Sequence, residues 1–191
     1  MSFETRPGST APTSRKVVAS YFVSLDGVTE GADQFLTGWD DEVDAAGAKL
    51  IATQDTVVLG RRTYDEWSQF WPTSDIEPFA SFVNAVPKYV VTSSALGAEW
   101  ANSHVIDGEP AEFVRDLKAK PGGDIGIHGS ISVTRALLTA GLLDELKLVV
   151  VPTVVGSGRQ LLTGLPPVRL ETVHCTQTPS GYLLVDYRVM P

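Results

Sequence analysis

The stretch DIGIHGSISVTRALLTAGLLDELKLVVV, residues 124–151, decides how this chain folds. Asp124 to His128 is short, with Ile125 and Ile127 around a glycine, and reads as a strand. Ser130 to Ala140 carries helical spacing, with Gly141 as its C-terminal stop. Glu145 to Val151 is a second apolar strand that ends at Pro152. Strand, helix and strand in that order make a βαβ unit and predict parallel pairing.

The same alternation extends outward. Lys16 to Val23 (KVVASYFV) reads as a strand closed by Asp26-Gly27, and Glu30 to Gly38 as a loop. Asp40 to Ala52 has helical spacing through Val43, Ala46, Leu50 and Ile51, and its acidic first turn suits the positive end of a helix dipole. Thr56 to Leu59 (TVVL) suits a strand covered on both faces. Gly60 ends it, and a helix is expected from about Thr63, interrupted at Pro72 and restarted at Pro78 as far as Val86. Tyr89 to Thr92 and Ser103 to Ile106 read as short strands, and Pro110 to Lys120 as a helix with Pro110 near its start. Leu170 to Thr178 and Tyr182 to Val189, joined by Pro179-Ser180-Gly181, predict a closing hairpin. The fold class expected is α/β, a mostly parallel mixed sheet with an antiparallel C-terminal hairpin. Residues 15–191 read as one domain behind a disordered leader, residues 1–14.

Composition narrows the function. The 191 residues are 43% hydrophobic and 20% charged, as in a globular domain. Twenty-three acidic residues against 15 basic ones leave a net charge of −8, which argues against a nucleic-acid partner. The longest apolar runs, Leu148 to Val151 and Tyr182 to Val185, are four residues long, whereas a membrane span needs ~20. A soluble, cytoplasmic protein is the expectation. The lone Cys175 excludes an internal disulfide and a Cys-based metal site, and reads as a small core residue of the hairpin. The three His show no metal-ligand spacing, so no metal is expected.

In an open α/β sheet, ligands sit beyond the carboxyl ends of the strands. Three strand ends carry suitable groups. Gly60-Arg61-Arg62-Thr63 combines a helix start with two Arg, which suits phosphate and equally suits surface pairing with Asp65 or Glu66. Thr92-Ser93-Ser94 offers three hydroxyls for phosphate or ribose, or for a turn. His128-Gly129-Ser130-Ile131 brings a glycine to the head of a helix. The three-glycine dinucleotide fingerprint, the P-loop and the Gly-x-Ser-x-Gly elbow are all missing. Together the three turns have the layout for a dinucleotide laid across the sheet edge. Asp26 and Asp44 are the acid–base candidates: Asp26 also suits a turn, and Asp44 also suits a solvated place in an acidic run.

The segments VVASYFVSLDGV (17–28), DTVVLGRRTYDEW (55–67), KYVVTSS (88–94) and 125–158 resemble the dihydrofolate-reductase-like superfamily. The nearer resemblance is to the reductase half of the bifunctional riboflavin-biosynthesis deaminase/reductase, over roughly residues 16–189. Leu142-Leu143-Asp144-Glu145-Leu146, then a strand, Pro152 and Gly156-Ser157-Gly158, carry that branch, whereas the Gly60–Thr63 turn belongs to both. The resemblance implies a three-layer α/β/α fold, NADPH as hydride donor and a homodimer, which the apolar hairpin residues Val173, Leu183, Leu184 and Val185 also suggest. It implies Arg61, Arg62 and Thr63 on the 2′-phosphate and pyrophosphate. Ser93 and Ser94 would lie near the adenosine, and Gly129, Ser130 and Ile131 under the diphosphate and nicotinamide ribose. Asp44 lies 16 residues before Gly60, the relation in which the acid of dihydrofolate reductases stands to the matching glycine. Asp44 would then be proton donor or anchor for a ring amino group, with Asp26 and Trp39 lining the substrate side. The deaminase half and its zinc ligands have no counterpart in the chain. The expected activity is reduction of a C=N or C=O bond in a pyrimidine- or pterin-like heterocycle. The alternatives are a dihydrofolate-reductase-type activity and a non-catalytic NADPH-binding sensor.

Overall fold

The computed structural model describes residues 15–106 and 108–191, so the leader expected over residues 1–14 lies outside the described residues. In chain order the elements are β1 (Val17–Ser24), α1 (Asp41–Ile51), β2 (Gln54–Gly60), α2 (Arg61–Phe70), α3 (Phe79–Ala85), β3 (Lys88–Val91) and β4 (Ser103–Ile106). They continue with α4 (Pro110–Lys118), β5 (Asp124–Ile127), α5 (Ile131–Thr139), β6 (Glu145–Val151), β7 (Leu170–Gln177) and β8 (Leu183–Val189). The strands form one sheet in the order β4-β3-β2-β5-β1-β6-β8-β7. The six strands from β4 to β6 are parallel, and β8 and β7 close the sheet antiparallel.

Why the sheet is flanked on both faces follows from the residue pattern. In β2, Val58 faces one way and Val57 and Leu59 the other, and all three are fully buried. Val58 joins Val17, Ala19, Ile125, Ile127 and Leu146 under α4 and α5, which supply Val114, Leu117, Val133 and Leu137. Val57, Leu59 and Val90 pack under α2 and α3 with Tyr64, Val83 and Trp100. Val43 of α1 joins Phe35, Val151 and Tyr182. Each such aliphatic side chain contributes about 1.5–3 kcal/mol of burial. The fold is therefore a three-layer α/β/α sandwich.

Helix ends are secured by individual side chains. Asp40 caps α1, its carboxylate accepting from Val43 N at 3.1 Å and from Ser180 N at 2.9 Å, which ties α1 to the hairpin turn. Lys88 is fully buried, and its Nζ donates to the carbonyls of Val83 and Val86 at 2.8 and 2.9 Å, closing the C-terminus of α3. Burial draws the Lys88 ammonium down to about 8.

Three local expectations change. Helix α2 begins at Arg61 rather than near Thr63, because Gly60 in extended conformation already serves as its N-cap. Cys175 lies in the hairpin strand as expected but is exposed, not a core residue. Every residue of β7 after Leu170 is exposed, since this edge strand projects past the helix layers. Of the hairpin's apolar residues, Val173 and Leu183 are exposed, whereas Val185 turns into the core.

Candidate active site

Strands β2 and β5 are neighbours, yet α2 leaves β2 on one face and α5 leaves β5 on the other. Their C-terminal ends form the crevice where open α/β sheets take ligands. The two turns there press together. A Cβ on Gly60 would lie 2.6 Å from Ser130 Oγ, and one on Gly129 would lie 2.8 Å from Thr63 Oγ1. Gly129 also has φ +110°, which favours glycine. Neither α2 nor α5 has its first turn capped by a side chain, since Gly60 has none and Ser130 Oγ pairs with Ser132 Oγ at 2.7 Å. Two sets of unpaired helix N–H groups thus face the same crevice.

Arg61 is held across this edge. Its Nε donates to both Asp65 oxygens at 2.7 Å, and its Nη1 donates to Ser94 Oγ at 2.7 Å and Ala95 O at 2.8 Å. The pairing with Asp65 considered from the sequence is therefore present, and it aims the guanidinium at the end of β3. There a cavity of about 630 Å³ is lined by Thr92, Ser93, Ser94, Val105 and Ile106. Arg62, exposed, pairs with Glu30 of the loop after β1, not with Glu66.

At the His128–Ile131 turn, the backbone and not the ring faces the crevice. The His128 imidazole runs back over Gly126 to Gln54, with Nε2···Oε1 at 2.7 Å. A Cβ at Gly126 would lie 2.8 Å from that nitrogen, so the glycine opens the path. Trp67, Phe79 and Phe82 surround the ring at 5.4–6.3 Å. Desolvation draws its pKa down to about 4, so the ring is neutral near pH 7. The Ile131 side chain is buried beneath α5, which likewise leaves its backbone at the turn.

On the other side of β1, Trp39 Nε1 donates to Asp44 Oδ1 at 2.7 Å, and the indole packs on Phe22 with centroids 5.4 Å apart. Trp39 and Asp44 are both exposed. Asp26 is engaged differently. Its carboxylate accepts from Ser24 Oγ at 2.6 Å, Val155 N at 3.1 Å and Gly156 N at 2.8 Å. The Ser24 bond first, then those two amides, hold its pKa down at about 2.

Two further features escaped the sequence. Tyr21, buried in β1, donates to Ser130 O at 2.9 Å and contacts Thr134 Oγ1 at 2.7 Å, which fixes the head of α5 from beneath. Desolvation holds its phenol well above its ordinary pKa. Arg159, beside the Gly156–Gly158 motif, lies 4.0 Å from Glu30. Only that motif signalled the loop.

The model of the RibD C-terminal domain matches residues 15–184. The chain belongs to that family. Bacillus subtilis YyaP, an uncharacterised protein, is 27% identical over 179 residues, covering 91% of this chain and 94% of YyaP. A Shewanella sp. PV-4 structure named for riboflavin biosynthesis has TM-score 0.74 at 20% identity, covering 92% of this chain and 99% of that one. A pyrimidine reductase-like protein of Corynebacterium diphtheriae has TM-score 0.61 at 16% identity, covering 93% and 92%. Dihydrofolate reductase of Enterococcus faecalis, complexed with NADP(H), has TM-score 0.59 at 18% identity, covering 91% and 94%. At these identities the structural likeness is one of fold, and the fold of this RibD C-terminal domain is dihydrofolate-reductase-like.

Proposed function

We propose that the chain is an NADPH-dependent reductase that delivers hydride to a C=N or C=O bond of a pyrimidine-like heterocycle. The observation that carries this reading is the pair of uncapped helix starts, α2 and α5, meeting at the β2/β5 crevice with Arg61 clamped beside them. Helix N-termini with close-approaching glycine backbone suit a dinucleotide diphosphate. The residues present therefore fit the cofactor. Arg61, Ser93 and Ser94 would hold the 2′-phosphate and adenosine end, Thr92 would shape that turn, and Arg62, Thr63 and the backbone of residues 128–131 would hold the diphosphate. The cofactor supplies the hydride, while the chain binds, orients and excludes water.

Asp44 is the acid in this reading. Its Oδ1 is committed to Trp39, which orients the carboxyl and leaves Oδ2 for a ring nitrogen or a proton. Asp26, with a pKa of about 2 and three donors on its carboxylate, is a poor proton donor and shapes the loop instead. Membership of the RibD C-terminal family supports the pyrimidine-like substrate class.

Titration of NADPH and NADH into the parent and Arg61→Ala tests the cofactor assignment. A 2′-phosphate bonded to Arg61 contributes about 1.5–3 kcal/mol, or roughly ten- to a hundredfold in affinity, and Arg61→Ala should erase that preference. Equal parental affinities for the two cofactors would refute it.

A further inference from the structure

Two arginines, one at the start of α2 and one in the loop after β6, share one carboxylate. Glu30 Oε1 pairs with Arg62 Nη1 in the first turn of α2 and lies 4.0 Å from Arg159 Nη1. Among the described residues, neither arginine has another acidic partner. The arrangement is fastened by backbone. Thr29 N donates to Arg159 O at 3.1 Å, and Leu161 N to Gly27 O at 3.0 Å, so residues 27–29 and 159–161 run paired. Arg135 of α5 donates to Gln160 O and Leu161 O at 2.7 and 2.9 Å, which anchors that ribbon to the helix layer. Glu30 and Arg159 therefore arrive together at the start of α2.

We propose that Arg62 and Arg159 form an anion site for a phosphoryl group, and that the ligand-free chain fills this site with its own Glu30 carboxylate. The chemistry favours exchange. One carboxylate leaves a net positive charge on two guanidinium forks, whose planar donors match phosphate oxygens. The uncapped N–H groups of α2 lie in the same turn as Arg62 and add to the attraction for an anion. The Arg62–Glu30 pair is exposed, 65% and 38% at the side chains, so breaking it costs little. A phosphoryl group entering here displaces Glu30 and frees the loop after β1. The inference rests on the nucleotide reading only for the source of that group, which is either the cofactor diphosphate or a phosphorylated substrate.

The experiment titrates inorganic diphosphate, NADPH and ribose 5-phosphate, the last with and without saturating NADPH, into the parent, Glu30→Gln and Arg159→Gln. Glu30→Gln should bind diphosphate about two- to fivefold more tightly at low ionic strength, a gain that fades in 0.5 M salt, whereas Arg159→Gln should bind it more weakly. A gain with NADPH assigns the site to the cofactor, and a gain with ribose 5-phosphate on the NADPH-saturated protein assigns it to the substrate. Unchanged or weaker diphosphate binding by Glu30→Gln overturns the proposal. If NADPH binds the parent while Glu30→Gln gains nothing with any probe, the internal anion falls and the reductase reading stands. If diphosphate shows the gain but NADPH binds neither protein, the reductase reading falls and the anion site stands.

Discussion

Replacing Gly60 by Ala should destabilise the protein through one contact that a second substitution relieves. Gly60 has φ −85° and ψ 163°, which Ala adopts freely, so no backbone strain is involved. The obstacle is Ser130: the new Cβ would lie 2.6 Å from its Oγ and still closer to its Cβ, against about 3.5–4.0 Å for ordinary carbon contacts. Roughly 1.5 Å of retreat is therefore needed at the Ser130 Cβ. Ser130 cannot easily give it, because its carbonyl is held by Tyr21 and its hydroxyl by Ser132. Overpacking of this kind costs about 1–3 kcal/mol, which at this size lowers Tm by roughly 2–12 °C. With Ser130 reduced to Gly, the nearest Ser130 atom is Cα at 3.6 Å, an ordinary contact. Gly60→Ala/Ser130→Gly should thus recover most of the loss suffered by Gly60→Ala, and urea melts of the four proteins give the coupling energy. NADPH affinity should follow the same cycle, because the displaced turn carries the helix N–H groups. Additive losses would refute the packing argument, and a silent Gly60→Ala would refute the closeness of the two turns.

Asp44→Asn should lower turnover ~10²–10⁴-fold with NADPH affinity unchanged; a silent Asp44→Asn beside a damaging Asp26→Asn would move the acid role to Asp26. The Asp26 carboxylate is depressed from 3.8 to about 2, so its hold on Val155 and Gly156 is complete above pH 4 and lost as pH falls through 2. Asp26→Asn should speed hydrogen exchange at those two amides at neutral pH, and unchanged exchange counts against the tether. His128 is drawn from 6.5 to about 4, so the unfolded chain binds the extra proton between those values and stability falls as pH drops below 6.5. His128→Gln should remove roughly 2 kcal/mol of the loss between pH 7 and 5, and identical losses in parent and variant would sink the claim.

Much of the fold was legible because its signals are local. Apolar runs such as Val57–Leu59 mark strands buried on both faces, and Gly60, Pro110 and Gly141 sit where elements begin or end. Cys175 misled because a lone thiol inside a strand reads as a small core residue, whereas β7 lies beyond the helices that would cover it. The His128 orientation depends on a vacant position two residues earlier and on Gln54, 74 residues away. The partner of Arg62 was illegible for the same reason: the local candidate was Glu66, and the residue that won, Glu30, is brought in by a ribbon formed with residues 159–161.

The net charge of −8 bears on how the crevice must work. A protein this acidic repels a polyphosphate at long range, but beyond a Debye length of about 8–10 Å salt screens that repulsion. Attraction must therefore come from groups in contact, and the groups at the crevice are of that kind: two helix starts, close glycine backbone and arginines fixed in place. Each arginine there is steadied by a carboxylate, Arg61 by Asp65 and Arg62 by Glu30. The two carboxylates differ in what a ligand would do to them. Asp65 lies on the same helix as Arg61, at i+4, and grips Nε, so it orients the guanidinium without occupying either terminal nitrogen, of which Nη1 already reaches Ser94 and Ala95. Glu30 comes from another loop and grips a terminal nitrogen, Nη1, which a phosphate would need. Asp65 is thus compatible with a bound anion and Glu30 competes with it, so removing Asp65 should weaken binding where removing Glu30 strengthens it.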